Sequence, residues 1–409
     1  MKQLSQYLIW LVLITAMLLG SFALGCKSDE KVTPQLDALS DAQLLPKPSP
    51  TNEPDPTTSF INVISADSTV DFPASLTFNL EAESSHEITD IELRYTIEKV
   101  TVTSVTTTIK PDFVTGIHVI TRWRWDTRKF DLPPGARINY KWIVTNNTGD
   151  KLETESATLI FEDSRHSWSE LAEENVRLLW YKGDATFGQE LMDAAQTALA
   201  KLAQDTGAKL EREARIYIYG DTDELHEALI YPQEWTGGLA FTDYGIIVIG
   251  ISTDRLSWGK RTIAHELSHL VIHQMTYNPL SNVPTWIDEG LAMFTEGGLR
   301  DDLADNLDDA LEDDTLFPVR SLGGSFPTDS EEAGLAYAQS YSLVSFLIEN
   351  YGSEKMMALL ELLKQGNSYD DALLEIYEFD VDGLDEEWRT SLGLQPNRIA
   401  VSSRYTFTV

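Results

Sequence analysis

"IAHELSHLVIH", residues 263–273, sets His265 and His269 four positions apart, with Glu266 directly after the first histidine. On an α-helix these imidazoles project from one face, one turn apart. Two neutral imidazoles so placed can share one Zn²⁺ and leave Glu266 beside a water at the metal. Zinc lowers the pKa of such a water to about 7, and a carboxylate then takes the proton and hands it to a leaving amine. The competing reading is an amphipathic helix whose histidines merely pack or face solvent, and a third ligand separates the two. Glu289 supplies one, 20 positions after His269, within "NVPTWIDEGLAMF" (282–294). Pro284 suits the first turn of a helix, and Trp286, Ile287, Leu291 and Phe294 would form its apolar stripe. Gly290 lets a neighbouring helix come close. Two such helices packed together would bring His265, His269 and Glu289 to one ion, with the fourth position left for water. His273 continues the row but reads as a packed or solvent-linked histidine, because Glu266 follows His265. Asp288 should point away from Glu289 and be solvated. The carboxylates that normally steady metal-bound imidazoles cannot be picked out from spacing.

The combination of "HELSH" with the glutamate of "WIDEGLA" resembles the gluzincin metallopeptidases, in particular their bacterial peptidase MA-like branch, related to thermolysin and the M1 aminopeptidases. The resemblance covers roughly residues 165–392. "GLAYAQSYSLVSFLIENYG" (334–352) is similar to the family's helix downstream of the site, and Trp388 in "LDEEWRTSL" is similar to the branch's closing helix. The resemblance implies zinc ligands at His265, His269 and Glu289 and a catalytic base at Glu266. It also implies a tyrosine that stabilises the tetrahedral oxyanion. Tyr337 and Tyr341 share one helical face, and either meets that description, with Tyr337 slightly favoured. One departure bears on the substrate. Where M1 aminopeptidases carry Gly-x-Met-Glu-Asn, whose glutamate holds the substrate amine, this chain reads "TGGLAFTD" (236–243) and has no glutamate. An endopeptidase is therefore expected rather than an aminopeptidase, with Gly237 and Gly238 at the edge of a cleft where a peptide adds as a strand.

The rest of the 409 residues frames this site. Asp and Glu number 65 against 31 Lys and Arg, a net charge of −34. Such a chain is repelled by phosphate backbones, so nucleic acid is not an expected partner. Residues 1–26, "MKQLSQYLIWLVLITAMLLGSFALGC", read as a signal peptide ending at the chain's single cysteine. "ALGC" resembles a bacterial lipobox, and an uncleaved membrane anchor is the alternative. Both place the chain at the cell membrane, facing outward. With one cysteine there is no intramolecular disulfide.

Residues 27–59 carry Pro34, Pro46, Pro48, Pro50, Pro54 and Pro56 and read as an extended linker. From 60 to 163, runs such as "SLTFNLEAES" and "HVITRWRWD" alternate with period two, broken by "LPPGA" and "NNTGD", which predicts an antiparallel β-sandwich. Trp123 and Trp125 are expected to pack rather than to bind. From 164 to 392 a small sheet is followed by helices, and 393–409 is a tail. The fold class is therefore α+β: an N-terminal β-sandwich, then a gluzincin-like domain with a small mixed sheet and a helical zinc-binding part. Thr222 is expected to cap a short helix at "TDELHEALI", Gly207 to end a long one, and residues 300–314 to form an exposed acidic helix. The expected function is a membrane-tethered, zinc-dependent peptidase acting on peptide or protein substrates outside the cell membrane. The alternative is a surface lipoprotein that has lost catalysis and binds a partner. The intact Glu266 argues against it, since a vestigial site needs no base.

Overall fold

The computed structural model describes residues 59–100, 104–129, 132–229, 237–279 and 282–394. The expected leader (1–26) with Cys26, the linker up to residue 58 and the tail from 395 lie outside the described residues. Seven strands, β1 (Ile61–Asp71), β2 (Ser75–Ile97), β3 (Thr106–Ile109), β4 (Gly116–Asp126), β5 (Ala136–Asn146), β6 (Lys151–Glu153) and β7 (Ala157–Phe161), form one antiparallel sheet. Its spine is β2. The first half pairs with β1 and β4, the second with β3 and β5, and the ladder shifts register between Glu83 and Asp90. Along β2, Leu76, Phe78, Leu80 and Ala82 are buried, whereas Thr77, Asn79, Glu81 and Glu83 are not, as the pleat requires. The two halves share one core, in which Phe78 meets Tyr140 of β5 edge-on at 4.9 Å and packs with Trp142 and Val144. Trp125 is buried and Trp123 stacks on Phe78 and Tyr95, so both tryptophans pack.

A second sheet begins six residues after Asp163. It comprises β8 (Ser169–Glu173), β9 (Val176–Trp180), β10 (Ala214–Tyr219), β11 (Gly238–Phe241) and β12 (Ile246–Gly250), in the order β11-β12-β10-β9-β8. The inner strands β9, β10 and β12 run parallel, and β11 and β8 are antiparallel edges. Helix α1 (Ala185–Thr206) crosses from β9 to β10 and ends at Gly207, whose φ of 72° is the left-handed stop expected of it. Helix α2 (Thr222–Ala228) starts one residue earlier than expected. Asp221, not Thr222, is its cap, because Asp221 holds the extended backbone that lets its carboxylate accept from the Glu224 N–H.

Helix α3 (Leu256–Thr276) lies between this sheet and the helices that follow. Its Ile263, Leu267 and Leu270 pack on Ile216, Ile218, Ile247 and Ile249, while Val271 and Ile272 join the helical core. That core is built by α4 (Thr285–Thr295), α5 (Asp301–Glu312), α6 (Ser330–Tyr351), α7 (Ser353–Lys364), α8 (Tyr369–Tyr377) and α9 (Val381–Ser391). Each wholly buried Leu or Ile here contributes about 1.5–3 kcal/mol, so many side chains share the anchoring of any one helix. Pro284 sits just before the first turn of α4. At Gly290 a Cβ would collide with the Ser340 carbonyl, so α6 presses directly against the turn that carries Glu289. Trp388 of α9 donates its Nε1–H to Ser342 at 3.0 Å, which ties the end of the domain to α6. Helix α5 buries Leu303, Leu307 and Ala310, and most of its carboxylates face solvent.

The two sheets are joined through polar pairs. Asp163, fully buried, takes Arg165 at 2.7 Å and accepts from the Tyr219 hydroxyl at 3.4 Å. Lys99 pairs with Asp243 at 2.8 Å. Among the described residues no helix is long and apolar enough to cross a membrane.

Candidate metal centre

Helix α3 brings His265 and His269 to one face and α4 brings Glu289 opposite them. Each imidazole Nε2 lies 3.5 Å from Glu289 Oε2. One donor atom from each of the three falls within 4.8 Å of the others, in the single group of this kind found among the described residues. All three residues are almost completely buried. The two Nε2 atoms and Glu289 Oε2 have no hydrogen-bond partner. Leaving one buried polar group unpaired costs about 1–3 kcal/mol, so three facing one another mark a place built for a cation. A tetrahedral zinc with ligands at about 2.0–2.2 Å sets its donors about 3.3–3.5 Å apart, and the two measured separations fit. Two imidazoles and one carboxylate are a donor set suited to zinc, and the fit is good.

The supporting groups come from positions that spacing did not reveal. His265 Nδ1 lies 3.6 Å from Glu296 Oε2. Glu296 is itself held by Arg261 at 3.0 Å, and the same guanidinium donates to the Gly298 carbonyl at 2.8 Å. His269 Nδ1 stands 3.0 Å from Asp288 Oδ1, outside ideal hydrogen-bond alignment, and Asp288 Oδ2 is hydrogen-bonded at 3.0 Å to His273 Nε2. Asp288 is thus not solvated as expected. Neighbours on a helix are about 100° apart, but α4 lies so close along α3 that residues 288 and 289 both reach it. His273 is partly exposed and anchors Asp288 rather than binding beside His265.

These carboxylates shape the local field. Burial alone would push both His265 and His269 down. Glu289 and Glu296 outweigh it at His265, which rises well above its ordinary value, and Asp288 and Glu289 raise His269. Burial would raise Asp288, but the charges of His269 and His273 overcome it and hold the carboxyl far below the usual range. The same carboxylates would draw a metal cation to the rings once their protons are displaced. Removing Asp288 should therefore loosen the metal. Asp288→Ala is expected to weaken zinc retention by about 10–100-fold, measured by competition with a chelator, with helix content unchanged. An affinity equal to that of the unaltered chain would show that Asp288 does not support His269.

Glu266 is fully buried, and neither of its carboxylate oxygens has a hydrogen-bond partner. Burial raises its pKa, and positive charge on His265 and His269 opposes the rise. It lies against β11, where a Cβ on Gly238 would stand 2.9 Å from Glu266 Oε1 and 3.0 Å from Thr262 Cγ2. The two tyrosines of α6 differ in setting. Tyr337 is buried in the helical core, edge-on to Phe326 at 5.1 Å. The Tyr341 hydroxyl lies 3.4 Å from the Cβ position of Gly298, the residue whose carbonyl receives Arg261.

Residues 194–393 match the family model of the Peptidase MA superfamily. The match takes in α3, α4 and α6 with every residue of the cluster. Among solved structures, the chain is similar to aminopeptidase A from Legionella pneumophila, at 12% identity over 80% of this chain and 50% of that one, with a TM-score of 0.38. It is also similar to an M1 zinc metallopeptidase from Deinococcus radiodurans (12% identity, 80% and 94% covered, TM-score 0.35). A third is an aminopeptidase N family protein from Idiomarina loihiensis (9% identity, 80% and 75% covered, TM-score 0.36). The chain spans half the length of the Legionella enzyme. No curated protein matches the sequence.

Proposed function

We propose that this protein is a zinc-dependent metallopeptidase that cleaves internal peptide bonds while tethered to the outer side of the cell membrane. One observation carries the reading: three buried, unpartnered donor atoms of His265, His269 and Glu289 beside the buried, unpartnered carboxylate of Glu266. Zinc, when bound, supplies Lewis acidity and lowers the pKa of a water to about 7. Glu266 takes the proton of the attacking water on one carboxylate oxygen and passes it to the leaving amine. Its burial keeps solvent from competing for that proton.

Strand β11 is an edge of its sheet, so its outer backbone groups can pair with an extended peptide above Glu266. Gly238 keeps that approach open, since any side chain there would press on Glu266. No glutamate stands on β11 to hold a free amine, which supports endopeptidase over aminopeptidase action. Tyr337 or Tyr341, both on the helix that packs against α4, donates its hydroxyl to the developing oxyanion. The tether is the leader with Cys26.

The chain is expected to hydrolyse an unstructured protein or mixed peptides when loaded with zinc. Activity should vanish on chelation and return when zinc is added back, with fragments read by mass spectrometry. A chain that holds zinc yet cuts no peptide would sink the proposal.

A further inference from the structure

A cleft of about 190 Å³, lined by Ser257, Trp258, Arg261, Thr262, Glu296 and Arg300, opens beside the candidate centre. One of its walls, Glu296, stands behind a ring of that centre, and another, Thr262, lies against β11 beside Glu266. Thr262 Cγ2 reaches within 3.0 Å of the Cβ position of Gly238, and Glu296 stands 3.6 Å from His265. The Trp258 ring comes within 2.8 Å of the Cβ position of Gly237, at the start of β11. A peptide paired along β11 would therefore carry a side chain past this opening.

The charge of the cleft departs from that of the chain. Acidic residues outnumber basic ones 65 to 31 overall, yet two arginines line this one small space. A third, Arg255, lies over the Trp258 ring at 4.9 Å. The two lining arginines are engaged differently. Arg261 is committed to Glu296 and the Gly298 carbonyl. Among the described residues Arg300 pairs with Asp302 alone, two residues along, through Nε at 3.1 Å and Nη2 at 2.9 Å, with the Arg300 side chain 29% and the Asp302 side chain 44% exposed. That pair occupies the Nε edge of the guanidinium, and a guanidinium has five donors, so the Nη1 end is left to take a second carboxylate. A guanidinium takes a carboxylate through two parallel N–H donors, and Trp258 lines the same space with apolar surface for the methylenes of an acidic side chain.

We propose that this cleft is a carboxylate-binding subsite read by Arg300, so that the preferred substrates carry an acidic group close to the scissile bond. The inference rests on the peptidase reading and names its substrate class. The carboxylate has two sources, an Asp or Glu side chain or the carboxyl terminus of the substrate.

Binding separates this inference from catalysis. The zinc-loaded full-length Glu266→Gln chain is titrated by calorimetry with acetylated, amidated hexa-alanines in which Glu or Gln is placed at each position in turn. A further pair of hexa-alanines has a free or an amidated carboxyl terminus. At one position the Glu peptide should bind at least about tenfold tighter than its Gln counterpart. Preference for the free terminus alone would assign the subsite to the terminal carboxylate. Arg300→Gln, added to Glu266→Gln, should shrink the preference to within about twofold, whereas Asp302→Asn, which releases Arg300, should enlarge it. Equal binding within every pair overturns the inference, as does a preference that survives Arg300→Gln. Cleavage of these peptides by the unaltered chain tests the underlying reading on its own. Turnover without any acidic preference removes only the subsite, whereas bound zinc without turnover removes both.

Discussion

Glu266→Gln is expected to lower peptide hydrolysis by about 10²–10⁴-fold while the chain keeps about one zinc. The amide has nearly the shape of the carboxylate but cannot accept a proton from water and return it to an amine. Geometry favours retention of the metal, since Glu266 is not among the three residues whose donor atoms cluster. The environment also favours the exchange. Both oxygens of Glu266 are buried without hydrogen-bond partners, so a neutral amide there avoids the cost of a desolvated charge. Steady-state rates on a peptide, read beside metal content from elemental analysis, check both halves. Retained turnover would remove Glu266 from the base role, and loss of zinc would make it a ligand.

Glu289→Ala should have the opposite signature, with metal lost first and activity with it. The substitution leaves His265 and His269 as a two-donor site. Zinc retention should fall by more than the roughly 10–100-fold that losing a supporting carboxylate costs. The fold itself should survive, because α4 is held by Trp286, Ile287 and Leu291, all fully buried, and not by its carboxylates. Bound zinc stabilises only the folded chain, so added zinc should raise the melting temperature of the unaltered protein and leave that of Glu289→Ala almost unmoved. Equal zinc content in the two chains would disprove the three-ligand site.

Much of the fold was legible because its signals are local. Alternation along β2 and β4 follows from the pleat, and Gly207 stops α1 because a left-handed φ favours glycine. The shared face of His265 and His269 was legible for the same reason, since four residues is one turn wherever a helix forms. The cap of α2 was misplaced by one residue because Asp221 and Thr222 are both good capping types, and backbone conformation chose between them. Asp288 was misread because its neighbour Glu289 already claimed the face turned toward the two histidines. Nothing local shows that a second helix lies close enough to meet both residues.

The sequence by itself determined the donor types, their helical spacing and the carboxylate of Glu266 beside them, all consequences of side-chain chemistry and one helix period. Only the tertiary structure decided that Glu289 meets the two histidines, that Glu296 and Asp288 stand behind their rings, and that Arg300 borders the opening beside β11. Those relations depend on how α3 and α4 approach each other, and that approach is set by packing among residues scattered from Leu202 to Trp388. Burial then decides the chemistry, because a carboxylate or imidazole withdrawn from water acquires its properties from the groups enclosed with it.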